Sequence, residues 1–202
     1  MVSEASEPLF QYKKTVPNTV SKEQPYISWE AFKTKYLSRE DGFKYEWLNG
    51  IVEKTKRTMD YTQFYILSNL LNKFRSFNID GELISEGDVF FLEKHRRPDI
   101  AYFTSKQIDA AADGVNPMPE FVIEVISNTD AINRVNKKMQ NYRAAEVKVV
   151  WQIFPQGEEV HIYCGDNLKT VYIKSGDEIC SAEPVLPDFQ LSVNDIFKRK
   201  KV

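Results

Sequence analysis

The sequence predicts an α/β (α+β) fold in which helices flank a mixed β-sheet. The first observation is the run at residues 121–126, whose almost continuous apolar character is typical of a central strand covered on both faces. The second is that a helical stretch at 130–145 and a strand-like run at 147–153 follow it, as in a right-handed crossover between parallel strands. Further strand-like runs precede and follow this unit and supply the rest of the sheet.

The N-terminal part of the chain predicts an arm, a helix and a hairpin. Residues 1–26 contain three prolines and no sustained periodicity, so we expect a flexible or irregular arm. Ser28 is a suitable cap for a short helix directly after it. Asn49-Gly50 separates the strand-like runs 45–48 and 51–54, and both residues accept positive φ, which predicts a β-hairpin.

The remaining elements follow from periodicity. Apolar residues at helical spacing predict a long amphipathic helix over residues 59–77, and a shorter helix is expected at 105–112. Additional strands are predicted at residues 81–85, 88–92, 98–103, 159–164 and 169–173. We therefore expect a single domain over residues 27–197, followed by a basic tail at 198–202.

Composition argues against a zinc site, a histidine-based catalytic triad and a glycine-rich phosphate-binding loop. The chain has 202 residues, two cysteines in no metal-binding spacing, two histidines and eight glycines that form no phosphate-binding loop. It shows no signal peptide and no apolar run long enough to span a bilayer, so we expect a cytoplasmic protein without membrane contact. The net charge of −2 is low for a nucleic-acid-binding protein, but metal-binding carboxylates contribute to it.

Glu124 is the first candidate for chemistry. It lies within a strand otherwise made of Phe, Val and Ile, where an ionised carboxylate is costly unless it is paired, protonated or bound to a metal. A structural role, as a strand-end carboxylate paired with an arginine, is the alternative.

Asp99 strengthens the functional interpretation of Glu124. It follows Pro98 at the start of the apolar run 100–103, which places it at the entry of a strand. An Asp and a Glu at comparable height on adjacent strands can hold one hard cation through their oxygen atoms. The two carboxylates together therefore predict a metal site.

Lys138 is the third candidate, and helical geometry selects it. An apolar face of the predicted helix is defined by Ile132, Val135, Met139 and Tyr142. Lys138 borders this face, whereas Lys137 points away from it and is expected to be solvated. The alternative for Lys138 is an aliphatic stem that covers Tyr142.

These motifs together resemble the PD-(D/E)xK nuclease superfamily and, within it, the Uma family, whose members are classed as restriction-type endonucleases. The resemblance extends over nearly all of residues 29–197, and its matching segments are 45–50, 97–99, 121–127, 138–142, 149–151 and 186–189. Their order and spacing carry the resemblance, because each motif alone is weak.

The resemblance implies a restriction-endonuclease-like core and assigns roles to particular residues. Ile126 occupies the position where the superfamily's simple ExK motif has lysine, and the family moves this lysine to the next helix, where Lys138 matches. Glu46 matches a further family carboxylate near the metal, although its hairpin setting is also compatible with an exposed position.

The function that follows is a metal-dependent endonuclease that hydrolyses phosphodiester bonds, with DNA as the expected substrate. Asp99 and Glu124 would hold Mg²⁺ or Mn²⁺ with the backbone carbonyl of Val125 or Ile126. Lys138 would orient or help deprotonate a water, and Glu46 would assist a ligand or hold a second ion. Arg96 and Arg97 are candidate phosphate contacts.

Two other functions stay open at this point. One is a non-catalytic nucleic-acid- or protein-binding module on the same fold, and the other is a metal-dependent phosphodiesterase with a different substrate. Cleavage of both DNA strands would favour a symmetric homodimer.

Overall fold

The computed structural model describes residues 25–56, 61–127 and 131–199. Most of the predicted N-terminal arm, the predicted helix starts at 59 and 130, and residues 200–202 of the basic tail lie outside the described residues. Within those ranges the predicted fold class is confirmed, since a multi-strand mixed sheet is flanked by helices.

Twelve strands and five α-helices make up the described part of the chain. The strands are β1 Phe43–Leu48, β2 Ile51–Lys56, β3 Glu82–Ser85, β4 Val89–Phe91, β5 Lys94–Arg96, β6 Ile100–Phe103, β7 Phe121–Val125, β8 Val149–Phe154, β9 Glu159–Cys164, β10 Thr170–Ser175, β11 Ile179–Ala182 and β12 Leu186–Ser192. The helices are α1 Trp29–Phe32, α2 Tyr61–Ser76, α3 Ser105–Ala112, α4 Ile132–Ala144 and α5 Val193–Phe197. A π-helical turn, Lys33–Leu37, extends α1, and a 3₁₀ turn, Asp166–Leu168, precedes β10.

Six strands form the mixed sheet, in the order β10-β9-β8-β7-β6-β3. Strands β7 and β8 are parallel and are connected through α4, so the predicted strand–helix–strand unit is confirmed. The other neighbours in this sheet are antiparallel. All five residues of β7 are buried, as expected for a central strand.

A second, antiparallel sheet has the order β2-β1-β5-β4. Its β1–β2 hairpin turns at Asn49 and Gly50, whose φ angles are +48° and +88°, as the sequence predicted. The Tyr26 ring covers Gly50 so closely that a Cβ atom there would lie 2.2 Å from two ring carbons. This position therefore requires glycine for both conformation and space.

Three apolar clusters hold these layers together. Helices α2 and α5 cover one face of the six-stranded sheet, where the indole of Trp151 is fully buried. Helix α4 covers the opposite face, with Met139 and Tyr142 packed on it. Helix α1 packs on the face of β1 that carries Tyr45 and Trp47, and the Ser28 hydroxyl accepts a hydrogen bond from its first turn as predicted. The opposite face of β1 therefore remains for polar residues.

Several elements were not predicted. The expected strand at 88–92 ends earlier, because a two-residue turn at Leu92 and Glu93 leads directly into β5. Both turn residues have positive φ although neither is Gly, Asn or Asp, so no turn signal marks them in the sequence. The β11–β12 hairpin and α5 also lack a corresponding prediction.

Two further features bear on the sequence analysis. Cys164 and Cys180 are both free thiols. Among the helices of residues 25–56, 61–127 and 131–199, none is long and apolar enough to cross a membrane.

Candidate functional site

The pairing of β6 with β7 brings Asp99 and Glu124 together. Ile100 lies opposite Ile123 in this antiparallel pair, and continuing the register by one residue sets Asp99 opposite Glu124. Directly opposed residues in an antiparallel pair share one face of the sheet. The backbone N–H of Val125 also donates to Asp99 Oδ2 over 2.8 Å, which fixes the orientation of this carboxylate. We refer to Asp99 and Glu124 as the carboxylate pair.

Helix α4 provides two partners for Glu124. The Lys138 ammonium lies 2.6 Å from Glu124 Oε2, and the Tyr142 hydroxyl donates to Oε1. Lys138 and Tyr142 are four residues apart and so occupy the same side of the helix. Glu124 is only 3% exposed, so these two donors replace the water that its carboxylate would otherwise bind. Ile132, expected on the same apolar face, is 69% exposed in the first turn.

Strand β1 contributes from the second sheet. Because side chains alternate along a strand, Lys44 and Glu46 share the face opposite Tyr45, and both are buried. The Lys44 ammonium lies 3.1 Å from Asp99 Oδ1. Glu46 accepts a 2.8 Å hydrogen bond from the backbone N–H of Arg97, two residues before Asp99. The site is therefore built where the two sheets and α4 meet.

The predicted phosphate contact of Arg96 is wrong. Its side chain is fully buried, because β5 pairs with β1 and turns the guanidinium toward the carboxylates of that hairpin. Nη1 lies 2.9 Å from Glu46 and 2.8 Å from Glu53, and Nε donates to Asn141 on α4. Arg96 thus joins the second sheet to α4, which is a structural role.

Arg97 and Lys137 also have protein partners. The Arg97 guanidinium pairs with Asp88, and its side chain is 11% exposed, so it too is held within the protein. Lys137 was expected to be solvated; its side chain is 46% exposed, but its ammonium lies 2.6 Å from Glu53. Glu53 therefore bridges Lys137 and Arg96.

The three site carboxylates differ in pKa because their partners differ. Burial acts to raise the pKa of Asp99, but the charges of Lys44 and Lys138 outweigh it and hold this pKa below its usual range. Burial also acts to raise the pKa of Glu46, but the charges of nearby cations, Lys138 first among them, lower it to about 2. For Glu124, burial together with the negative charge of Asp99 outweighs Lys138, so its pKa is raised.

The two α4 donors are held in their protonated forms. Burial acts to lower the pKa of Lys138, but the negative charges of Glu124, Glu46 and Asp99 raise it above its usual value. Burial and the adjacent Glu124 charge raise the pKa of Tyr142 well above the ordinary range. Both groups therefore act as hydrogen-bond donors at neutral pH, and the Lys138 ammonium carries a positive charge.

Access to the site is through Asp99. Its side chain is 31% exposed, against 4% for Glu124 and 3% for Glu46. Within the described ranges, no group of three or more His, Cys, Asp or Glu side chains comes together as a ready-made metal site. The Ile126 N–H donates to the Ile153 carbonyl, while a ligand role for the Ile126 carbonyl stays a prediction.

The structure adds residues that the sequence analysis did not select. Lys44 contacts Asp99, and the Tyr142 hydroxyl, predicted only as part of an apolar face, contacts Glu124. The register of β8 also sets the buried Gln152 beside Glu124. A signal for Lys44 was available, because it lies two residues before Glu46 and so shares its face in any strand.

Comparisons with known proteins agree with this architecture. A family model described as "Putative restriction endonuclease" matches residues 29–194. The fold is similar to that of a crystal structure titled as a "putative nuclease belonging to DUF820" from Anabaena variabilis ATCC 29413, with a TM-score of 0.70 and 18% sequence identity. This similarity covers 85% of the present chain and 97% of the other. No curated protein is significantly similar in sequence.

Proposed function

Since the chain belongs to the Uma2 family, a family of restriction-endonuclease-like proteins, we propose that it is a metal-dependent endonuclease that hydrolyses phosphodiester bonds in DNA. The observation that carries the proposal is the carboxylate pair, set face to face by the β6–β7 register, with the Lys138 ammonium on Glu124. Two carboxylates can hold a metal ion that polarises a phosphoryl oxygen and activates a water, and a lysine ammonium can stabilise the charge that accumulates on the phosphate.

The donor chemistry fits a hard divalent cation. Asp99 and Glu124 offer carboxylate oxygens on one face of the sheet, and Asp99 is partly exposed, which leaves a path for an ion. Mg²⁺ commonly binds through one or two carboxylates and keeps several waters, so a site with no third acidic ligand among the described residues suits it. Asp99 and Glu124 would hold Mg²⁺ or Mn²⁺, and the Ile126 carbonyl is the proposed backbone ligand. Such an ion supplies Lewis-acid polarisation of the phosphoryl group and a more acidic bound water.

Lys138 supplies positive charge and hydrogen bonds at the reacting centre. Its ammonium is protonated at neutral pH, because the surrounding carboxylates raise its pKa. A protonated lysine stabilises charge that accumulates on the phosphate and orients a water, whereas it is a poor proton acceptor. Orientation of the water and help with its deprotonation both stay proposed roles of Lys138.

Glu46 acts on the position of Asp99. It holds the N–H of Arg97 and the Arg96 guanidinium, so it fixes the segment that leads through Pro98 to Asp99. Its own oxygens are already engaged by these donors, which makes Glu46 a positioning residue in this proposal. The expected homodimer would place two such sites against the two strands of a duplex.

The test is cleavage of plasmid and single-stranded DNA with Mg²⁺ or Mn²⁺, and with EDTA. The wild type should cut only with the metal, and Glu124→Gln and Lys138→Met should each lose at least ~100-fold in rate. Glu120→Gln and Lys148→Met are the matched controls, because both residues are exposed and lie just before β7 and β8. These controls should cut like the wild type.

Other outcomes would select a different function. A folded wild type that binds Mn²⁺ by calorimetry but cuts no DNA would contradict the proposed substrate and favour another phosphodiester. A folded wild type that binds no divalent metal, either alone or with DNA, would reject hydrolysis by this site and leave the non-catalytic binding module. Activity that persists in Glu124→Gln would place the chemistry elsewhere in the protein.

A further inference from the structure

Lys44 is a buried lysine that the proposed chemistry does not yet use. It is 8% exposed and lies on β1, and its ammonium contacts Asp99, the entry point of the site. A lysine at this depth requires a counter-ion, because an unpaired buried ammonium is costly. Asp99 provides that counter-ion in the structure.

The charges around the carboxylate pair are balanced before any ligand binds. Four cationic side chains pair with four carboxylates in this cluster, and the ion pairs are Lys44–Asp99, Lys138–Glu124, Arg96–Glu46, Arg96–Glu53 and Lys137–Glu53. A divalent cation would add two positive charges to this partly buried set, whose formal charges already cancel. Binding of the metal alone is therefore opposed by the cations already present.

A metal on the carboxylate pair would engage the carboxylates of both Lys138 and Lys44, and Lys44 is the one at the open side of the site. Its carboxylate, Asp99, is the more exposed member of the pair. Arg96 keeps both of its carboxylates, and the negative charge of Glu46 acts on Lys44 and Lys138 alike. A cation on Asp99 would leave the Lys44 ammonium at the open side of the site without the carboxylate that it contacts in the free protein.

We propose that Lys44 is a substrate-binding lysine that exchanges counter-ions, pairing with Asp99 in the free protein and with a phosphodiester oxygen of the nucleic acid when a divalent cation is bound. This inference rests on the proposed function. The phosphate supplies the negative charge that the metal makes necessary, so metal and nucleic acid bind cooperatively. By linkage, each increases the affinity for the other by the same factor.

The first test measures Mn²⁺ binding by calorimetry, without nucleic acid, in the wild type, Lys44→Met and Lys54→Met. Lys54 is the matched control, because it is exposed on the neighbouring strand and its ammonium lies over the Phe43 ring, on the other face of the hairpin. Lys44→Met should bind Mn²⁺ about tenfold more tightly than the wild type, within the usual range of coupling between sites. Lys54→Met should match the wild type. Equal or weaker Mn²⁺ binding by folded Lys44→Met would overturn the proposal.

The second test uses the wild type itself, so it does not depend on the folding of a variant. Mn²⁺ affinity is measured with and without a DNA oligonucleotide that carries phosphorothioate linkages, which keep the charge and slow cleavage. The affinity should rise by at least about fivefold with the oligonucleotide. This rise should be lost in Lys44→Met and kept in Lys54→Met.

The outcomes separate this inference from the proposed function. A wild type that binds Mn²⁺ and cuts DNA, but whose Mn²⁺ affinity does not change with the oligonucleotide, would reject the counter-ion exchange and leave the nuclease intact. A wild type that binds no Mn²⁺ under either condition would overturn both.

Discussion

The ion pair between Glu46 and Arg96 gives the most direct test of how the site is built. Glu46 is 2% exposed and Arg96 is fully buried, and Oε2 of Glu46 lies 2.9 Å from Nη1 of Arg96. Glu46→Gln keeps the shape of the side chain and an oxygen that can accept from the Arg97 N–H. It removes the negative charge and turns the amide nitrogen toward the Arg96 guanidinium, so its effect measures the loss of the charge together with the loss of the hydrogen bond from Arg96.

The expected size of the effect follows from the pKa of Glu46. This pKa is about 2 in the folded chain, against 4.5 for an ordinary Glu side chain. At about 1.4 kcal/mol per pH unit, the difference corresponds to roughly 3 kcal/mol of stability at neutral pH. Loss of one partner from a buried ion pair typically costs about 3–5 kcal/mol, which agrees with this value. We therefore expect Glu46→Gln to reduce the free energy of unfolding by about 3 kcal/mol at pH 7.

The pH dependence gives the sign of the effect. Because the pKa of Glu46 is lowered on folding, its contribution is complete above about pH 4.5 and is lost as the pH falls toward 2. The difference between wild type and Glu46→Gln should thus be largest at pH 7 and fall below half of that value by about pH 3. Urea unfolding followed by tryptophan fluorescence at several pH values measures it.

Two results would refute this reasoning. A Glu46→Gln variant within about 1 kcal/mol of the wild type at pH 7 would mean that the buried charge is compensated by other groups. A difference that does not change between pH 7 and pH 3 would mean that lost packing, and not lost charge, destabilises the variant. Glu120→Gln, which changes an exposed carboxylate, controls for the general effect of charge.

Two further predictions concern stability. Tyr142→Phe removes the hydroxyl that donates to buried Glu124. It should lower the free energy of unfolding by about 1.5–3 kcal/mol, the usual value for a hydrogen bond to a charged group. A change below about 0.5 kcal/mol would contradict this role. Gly50→Ala should destabilise the chain by at least about 1–2 kcal/mol, because its φ of +88° is unfavourable for alanine and its Cβ would overlap the Tyr26 ring. Thermal unfolding measures the effect as a lower Tm, and adding Tyr26→Ala to Gly50→Ala should restore the part of the Tm that is lost through the overlap. An unchanged Tm in Gly50→Ala alone would contradict the requirement for glycine at this position.

The parts of the site that the sequence predicted are those that depend on local geometry. Helical spacing selected Lys138, and the apolar run around Glu124 identified a central strand. Both inferences use only the regular period of one element, and tertiary packing did not alter them. The catalytic and metal-binding roles of these residues stay predictions.

The parts that were missed depend on contacts between distant segments. Lys44 and Asp99 are 55 residues apart, and their contact follows from the way the two sheets meet, which no local pattern encodes. Arg96 was interpreted as a phosphate contact because it lies just before Asp99 in the sequence. Its burial depends on Glu46 and Glu53, which a different hairpin supplies. Charged residues can be buried when such partners exist, and a single sequence does not show which partners meet.

The register between β6 and β7 determines both the packing of the hydrophobic core and the position of the site carboxylates. The same pairing that packs Ile100 beside Ile123 also sets Asp99 against Glu124. A slip by one residue would turn every side chain of one strand to the other face, moving a carboxylate into the apolar layer under α2 and an aliphatic side chain into the site. A molecule whose site is misassembled by such a shift would therefore also have a disrupted core and be unstable. The stability of the hydrophobic core thus ensures that folded molecules carry a correctly assembled site.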